Sequence, residues 1–250
     1  MSEQQNPFLA QPPAGGGFTP SGRAVDAGRG IEWFKQGWQS FTKNPGIWIA
    51  LALILMVIIV VLGFIPFLGN LALALLSPVF AGGLLAGCKA LSEGGELRVD
   101  HLFAGFKEKT GNLIVVGAVS LGAFVLIALI MLAIGGGSAM TGAMMGRGMG
   151  AGMAVGGFLV GMLVGLALSV PLAMAVWFAP ALVMFRDVAP VEAMKRSFSA
   201  CLKNIAPFLI YGIILFVLSL VAMIPFGLGF LVLIPVTVGS VYSSYVEIFE

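Results

Sequence analysis

Few side chains in this sequence could do chemistry, and their placement argues against catalysis. There is one histidine, His101, and two cysteines, Cys88 and Cys201. The 11 acidic residues fall in the terminal segments, in loops or in candidate surface helices. The sequence contains no HExxH, no paired intramembrane aspartates, no serine–histidine pair and no phosphate-binding glycine motif. Its glycine clusters are not followed by the lysine and hydroxyl residue that such a loop needs. The expectation is a protein that is not an enzyme and has no cofactor. Cys88 and Cys201 read as small buried or interfacial residues, reduced on the basic side of the chain. His101 reads as an interfacial anchor rather than a ligand.

Two weaker chemical patterns remain. Met140, Met144, Met145, Met149 and Met153 lie in or next to a Gly/Met segment, residues 135–152. Thioethers suit Cu(I), but no Cys or His assists, and methionine is also a flexible apolar filler; no metal is therefore assigned. Ion-coupled carriers bury a charged residue or histidine in a span, and none lies clearly within one here. Three prolines, Pro78, Pro171 and Pro235, do fall mid-span, and each frees a backbone carbonyl. Near them stand Ser77, Ser169, Thr237 and Ser240, which could ring a shallow polar centre; alternatively the kinks only fit tapered helices together. Gly157, Gly161 and Gly165, continued by Ser169 and Ala173, give a small residue every four positions. That face lets a second helix approach closely.

The elements that position these residues follow from composition. The chain has 250 residues, of which 59% are hydrophobic and 10% charged. A soluble domain is about 45–50% apolar and about 25% charged, so this chain requires a bilayer as solvent. A net charge of +2 with no long basic run is too small to argue for nucleic acid, and no nucleic-acid partner is expected. Residues 1–28, with six prolines and glycines before Phe18 alone, read as a disordered tail. No basic segment there precedes an apolar core, so no cleaved signal peptide is expected.

The stretch from residue 31 to residue 44, IEWFKQGWQSFTKN, places Ile31, Phe34, Trp38 and Phe41 on one helical stripe before Asn44. Val99, Leu102 and Phe106, then Asn112, hold the same offsets 68 residues on. Val191, Met194, Phe198 and Cys201, then Asn204, hold them 160 residues on. Each copy leads into a pair of apolar runs whose second member carries the proline. The expected fold is all-α: six transmembrane helices in three tandem hairpin units, 29–90, 98–186 and 190–250. Each is introduced by an amphipathic surface helix, with Trp33, Trp38, Trp48, His101, Phe106 and Phe198 as interfacial anchors. Span four, running past Pro171 and Pro180, is expected to kink or break. Units of two spans keep one orientation, so their axis would lie along the membrane normal. Twelve Lys and Arg residues fall on the side of both termini and one, Arg147, on the other. This places both termini in the cytoplasm.

The segments WFKQGWQSFTKNPGIW, HLFAGF, WFAPALV and EAMKRSFSACLKN resemble a family of uncharacterised six-span bacterial inner-membrane proteins. More distantly, the Ala-x-x-x-Ser-Phe pattern followed by a basic residue and Asn is similar to YciC-like proteins and to the membrane domain attached to some glycerophosphodiester phosphodiesterases. The resemblance covers about residues 31–250 and implies an inner-membrane location but no activity, since no soluble phosphodiesterase domain is present. Two functions are therefore expected. One is an accessory or scaffold protein that organises lipids or other inner-membrane proteins. The alternative is a carrier or lipid-handling protein working along a pseudo-threefold axis, which requires a cavity near Pro78, Pro171 and Pro235.

Overall fold

The computed structural model describes residues 17–144 and 147–250, and every regular element in them is helical. Six helices are long and apolar enough to cross a membrane: Pro45–Gly63, Leu68–Ser92, Thr110–Gly142, Ala151–Arg186, Ile205–Met223 and Phe230–Phe249. In chain order the elements are α1 (Arg29–Lys43), α2 (Pro45–Gly63) and α3 (Leu68–Ser92), then a 3₁₀ turn (Val99–Phe103) running into α4 (Ala104–Lys107). The long hairpin α5 (Thr110–Met144) and α6 (Arg147–Trp177) follows. α7 (Ala179–Arg186), α8 (Pro190–Lys203), α9 (Ile205–Met223) and α10 (Phe230–Phe249) complete the chain.

Asn44 and Asn204 break the chain between α1 and α2 and between α8 and α9, and Pro45 supplies a first-turn residue whose missing N–H costs nothing there. The expected break at Asn112 does not occur, because that residue lies inside α5. The expected second surface helix is instead the 3₁₀ turn and the four-residue α4. Leu102 is fully buried there, and Gly105 sits against the carbonyl of Val79, so packing on α3 sets the backbone. Much of the expected Gly/Met loop is helix, residues 145–146 lying outside the described residues. Helices continue to Met144 and resume at Arg147, against the low helix propensity of the segment's eight glycines. Its neighbouring glycines serve close packing: a Cβ on Gly157 would strike Ser138, and one on Gly165 would strike Met131. With 35 residues, α5 is about 52 Å long at 1.5 Å per residue, well beyond a hydrocarbon core of about 30 Å.

Burial is uneven along the spans. Beyond Pro78 and Pro235, α3 and α10 are largely buried, and so is α7, which follows the break at Phe178. Leu84, Leu85, Cys88, Leu182, Tyr245, Ile248 and Phe249 meet in this packed end. The other ends of the helices expose Val57, Phe124, Leu132, Leu163 and Phe216, as lipid-facing surface should. The tips of α2–α3 and α9–α10 are apolar too, and each holds a phenylalanine at positive φ, Phe67 at 62° and Phe226 at 53°.

The tail boundary moves. Residues 1–16 lie outside the described residues, but residues 17–28 form a strap rather than a disordered tail. Thr19 N–H donates to Phe249 O at 2.8 Å and Arg23 N–H to Ile248 O at 2.9 Å. The Phe18 ring stacks on Phe249 and lies under the Arg186 guanidinium. Asn204, fully buried, closes the strap: its Oδ1 accepts from Val25 N–H at 2.8 Å, and its Nδ2 donates to Arg23 O and Ala200 O at 2.9 Å. Asn204→Ala leaves these groups unpaired and is expected to cost about 2 kcal/mol. Tryptic cleavage after Arg23 in the native protein should accelerate; an unchanged cleavage rate would mean that the strap holds without Asn204.

Candidate functional site

Two apolar spaces lie beside the expected mid-span prolines. A central cavity of about 460 Å³, open to the surface where the exposed Ser77 and Phe124 line it, lies among α3, α5, α6 and α10, with Pro78, Ser120, Leu172, Trp177 and Thr237 also in its wall. A lateral groove of about 930 Å³ lies among α6, α8 and α9, lined by Pro171, Trp177, Phe198, Leu202, Leu209 and Phe216 among others. Sites for small molecules run from about 300 to 1,000 Å³, so both are large enough to hold a ligand.

The structure assembles part of the expected polar centre. Ser77, Pro78 and Thr237 meet at the central cavity. Pro171 opens on the lateral groove instead, and Pro235 on a narrow slot with Trp48 and Leu51. Ser240 faces α1 at Gly37. The hydroxyls are committed to their own helices. Ser77 donates to Ala74 O at 3.2 Å, Ser120 to Val116 O at 2.7 Å and Thr237 to Leu233 O at 2.8 Å. Ser169 and Ser240 do likewise, to Gly165 O and Val236 O. Such back-bonding satisfies the hydroxyl hydrogen locally, so the cavity is apolar in practice. Sequence reasoning missed Ser120 and Trp177 as lining residues; Ser120 has no neighbouring proline, and Trp177 stood only in the WFAPALV segment, quoted for its resemblance.

The expected anchors divide. Trp33 and Trp48 are not at an interface but inside the protein, because each indole N–H finds a protein acceptor. Trp33 donates to Glu247 Oε2 at 2.6 Å and Trp48 to Ser40 O at 3.1 Å. Trp38 and Phe106 are exposed, and Phe198 is half-buried at the lateral groove. His101 accepts the Arg98 N–H on its Nδ1 at 3.0 Å, which fixes the turn. Gly157, Gly161 and Gly165 face α5, near Ser138 and Met131. Of the five methionines, Met140 is exposed and Met153 half-buried. The side chains of Met144, Met145 and Met149 lie outside the described residues. Among the described residues no three His, Cys, Asp or Glu side chains gather as a metal site.

Both cysteines are free and buried. Burial pushes the Cys201 thiol up to about 12, and its Sγ lies 3.6 Å from Met174 O. The thiolate is the reactive form, so a maleimide at pH 8 should label neither cysteine in the native protein and both after unfolding. Rapid native labelling of Cys201 would contradict its burial beneath α8.

No family model matches the chain, and no solved structure matches it. A protein of Burkholderia thailandensis named as a probable inner membrane protein is 30% identical over 204 residues, which covers 78% of this chain and 75% of that one. This relative agrees with six membrane-capable helices and lends nothing to the YciC-like or phosphodiesterase-domain resemblance. The chain belongs with it to a family of probable inner membrane proteins.

Proposed function

We propose that this protein handles lipid within the inner membrane, without catalysis, through a centre shared by three tandem units. The observation that carries the reading is the central cavity: it is apolar, sized for a ligand and placed among the second spans of all three units. Packing supports the tandem arrangement. α1 lies on α10, the segment 99–107 lies on α3, and α8 lies on α6. Each surface segment thus rests on the second span of the unit before it, in cyclic order. At matched repeat offsets, Gly37 and Gly105 approach the carbonyls of Val236 and Val79, while Ser197 donates to Met174 O at 2.6 Å. Ile31, Val99 and Val191, also at matched offsets, are 43%, 42% and 50% exposed, as the outer stripe of an amphipathic helix would be.

The basic bias puts both termini in the cytoplasm, so a cytoplasmic reporter fused after Glu250 and a periplasmic reporter inserted near Ala143 should both be active. The function is tested by native mass spectrometry of the protein extracted into lipid nanodiscs. A lipid retained in fixed stoichiometry, and lost from the cavity-filling Ala81→Phe variant, is expected. Retention unchanged in that variant, or no lipid at all, would remove the proposal. The accessory or scaffold reading rests on the α5–α6 hairpin, which is longer than a bilayer core. A stoichiometric protein partner in the same experiment would favour it.

A further inference from the structure

The turns of the first and last hairpins are built alike. Ile65-Pro66-Phe67 joins α2 to α3, and Ile224-Pro225-Phe226 joins α9 to α10, 159 residues on. In both turns the phenylalanine takes positive φ, 62° at Phe67 and 53° at Phe226. That region suits glycine or asparagine, and a bulky side chain is held there only by its surroundings. The protein supplies none: Phe67 is 78% exposed and Phe226 fully so. Phe64, Leu68, Ile224 and Leu228 beside them are exposed as well.

Nothing in either turn calls for water. Residues 57–69 and 220–236 contain no polar side chain, and Asn70 alone stands close to the first turn. The main chain closes on itself. Leu68 N–H donates to Pro66 O at 2.7 Å and Gly69 N–H to Ile65 O at 3.0 Å. In the second turn Gly227 N–H donates to Met223 O at 3.3 Å and Leu228 N–H to Pro225 O at 3.0 Å. Pro66 and Pro225 have no N–H to satisfy. Backbone groups paired within the segment are what hydrocarbon demands of a chain inside it.

Depth agrees. Pro78, Leu172 beside Pro171, and Thr237 two residues after Pro235 line one cavity, so the three spans are level there. Phe67 stands 11 residues before Pro78 and Phe226 nine before Pro235, about 17 Å and about 14 Å at 1.5 Å per residue. On α6, Val155 stands 16 residues before Pro171, about 24 Å away, and is still an exposed apolar residue, as is Phe158. The apolar surface of α6 therefore continues past the level at which the other two hairpins turn back.

We infer that the Ile-Pro-Phe turns of α2–α3 and α9–α10 end inside the bilayer, each phenylalanine inserted among the lipids of the leaflet opposite the packed end, while the α5–α6 hairpin passes through that leaflet. The partner of this surface is lipid acyl chain. The inference does not depend on the lipid-handling reading of the central cavity.

The test uses the full chain in phosphatidylcholine vesicles, carrying one nitroxide label at a time on Phe67→Cys, Phe226→Cys, Leu163→Cys or Thr141→Cys. Cys88 and Cys201 are buried, and unsubstituted protein treated with the same reagent supplies the background. Relaxation by oxygen, which concentrates in hydrocarbon, is compared with relaxation by a water-soluble nickel chelate. The labels at 67 and 226 should resemble that at 163 on the exposed face of α6, and should meet nickel several-fold less often than the label at 141 near the end of α5. Nickel contact equal to that at 141 would put the turns in water and overturn the inference. Shielding from both reagents would mean that protein, a second copy of this chain, covers them, and would overturn it too. Leu68→Cys and Leu228→Cys repeat the measurement with both phenylalanines in place. Phe226→Asn, which relieves the backbone, should lower the unfolding midpoint in lipid nanodiscs; a midpoint equal or higher would also count against immersion.

Discussion

Gly37→Leu is expected to dislodge α1 from α10 and to destabilise the protein by about 3 kcal/mol, the upper end of overpacking in a closed contact. The site leaves no room. A Cβ on Gly37 would collide with the Val236 carbonyl and the Ser240 hydroxyl, and would lie 2.9 Å from the Ser240 backbone nitrogen. From the other side, a Cβ on Gly239 would come within 3.0 Å of the Gly37 Cα. Two glycines thus set helix on helix, backbone against backbone, which is how spans pack closely where no hydrophobic force between them exists in lipid. The obstacle is main chain rather than the end of a flexible side chain, so no rotamer change relieves it. Gly122, exposed on α5 where a Cβ would meet nothing within 4 Å, is the control. Gly122→Leu should change the unfolding midpoint little, whereas Gly37→Leu should lower it markedly and reduce the monodisperse fraction in detergent. Equal behaviour of the two variants would mean that α1 is not locked onto α10 by this contact.

Much of the architecture is legible in the sequence because the bilayer demands it. Long uncharged runs must become helices, since no other structure satisfies the backbone in lipid. The break at Phe178 likewise follows from Pro180, which stands in the first turn of α7. What remained hidden was pairwise packing. Glycine and methionine between residues 135 and 152 look like a loop by composition. The described part is helix all the same: Ser138 packs against Gly157 of α6, while Gly135, Gly137 and Gly152 face open space. Residues 17–28 look disordered by composition, yet Asn204, about 180 positions away in the chain, supplies the partners for their backbone.

The candidate site was half legible for a similar reason. Proline marks a kink wherever it falls in a span, so Pro78 was found, with Ser77 and Thr237 beside the prolines. Which kinks face one another depends on helix rotation, and rotation put Pro171 on the groove and Pro235 on the slot. Tryptophan is ambiguous in a membrane sequence, because an interface and a buried acceptor satisfy its N–H equally well. Trp38 took neither a buried position nor a protein acceptor, while Trp33 and Trp48 took both.

Glu247→Ala is expected to cost about 3 kcal/mol, because one carboxylate near the C-terminus holds two groups of α1 at once. Its Oε1 pairs with the Arg29 guanidinium, and its Oε2 accepts the Trp33 indole N–H at 2.6 Å. The carboxylate side chain is only 17% exposed, so water replaces neither bond readily. Trp33 is wedged against Phe208 at 5.1 Å between ring centroids, so it cannot swing out to find another acceptor without giving up that packing. The loss should therefore fall on the α1–α10 contact as a whole and expose the adjoining strap to protease. Glu247→Gln keeps an acceptor for the indole but removes the charge that Arg29 faces, and should cost less. A double-mutant cycle with Arg29→Ala separates the terms: close charged partners couple by about 0.5–3 kcal/mol when the pairing itself is responsible. Additive effects of the two substitutions would show that Glu247 acts through Trp33 alone. The clamp on α1 would then be the indole hydrogen bond rather than the ion pair.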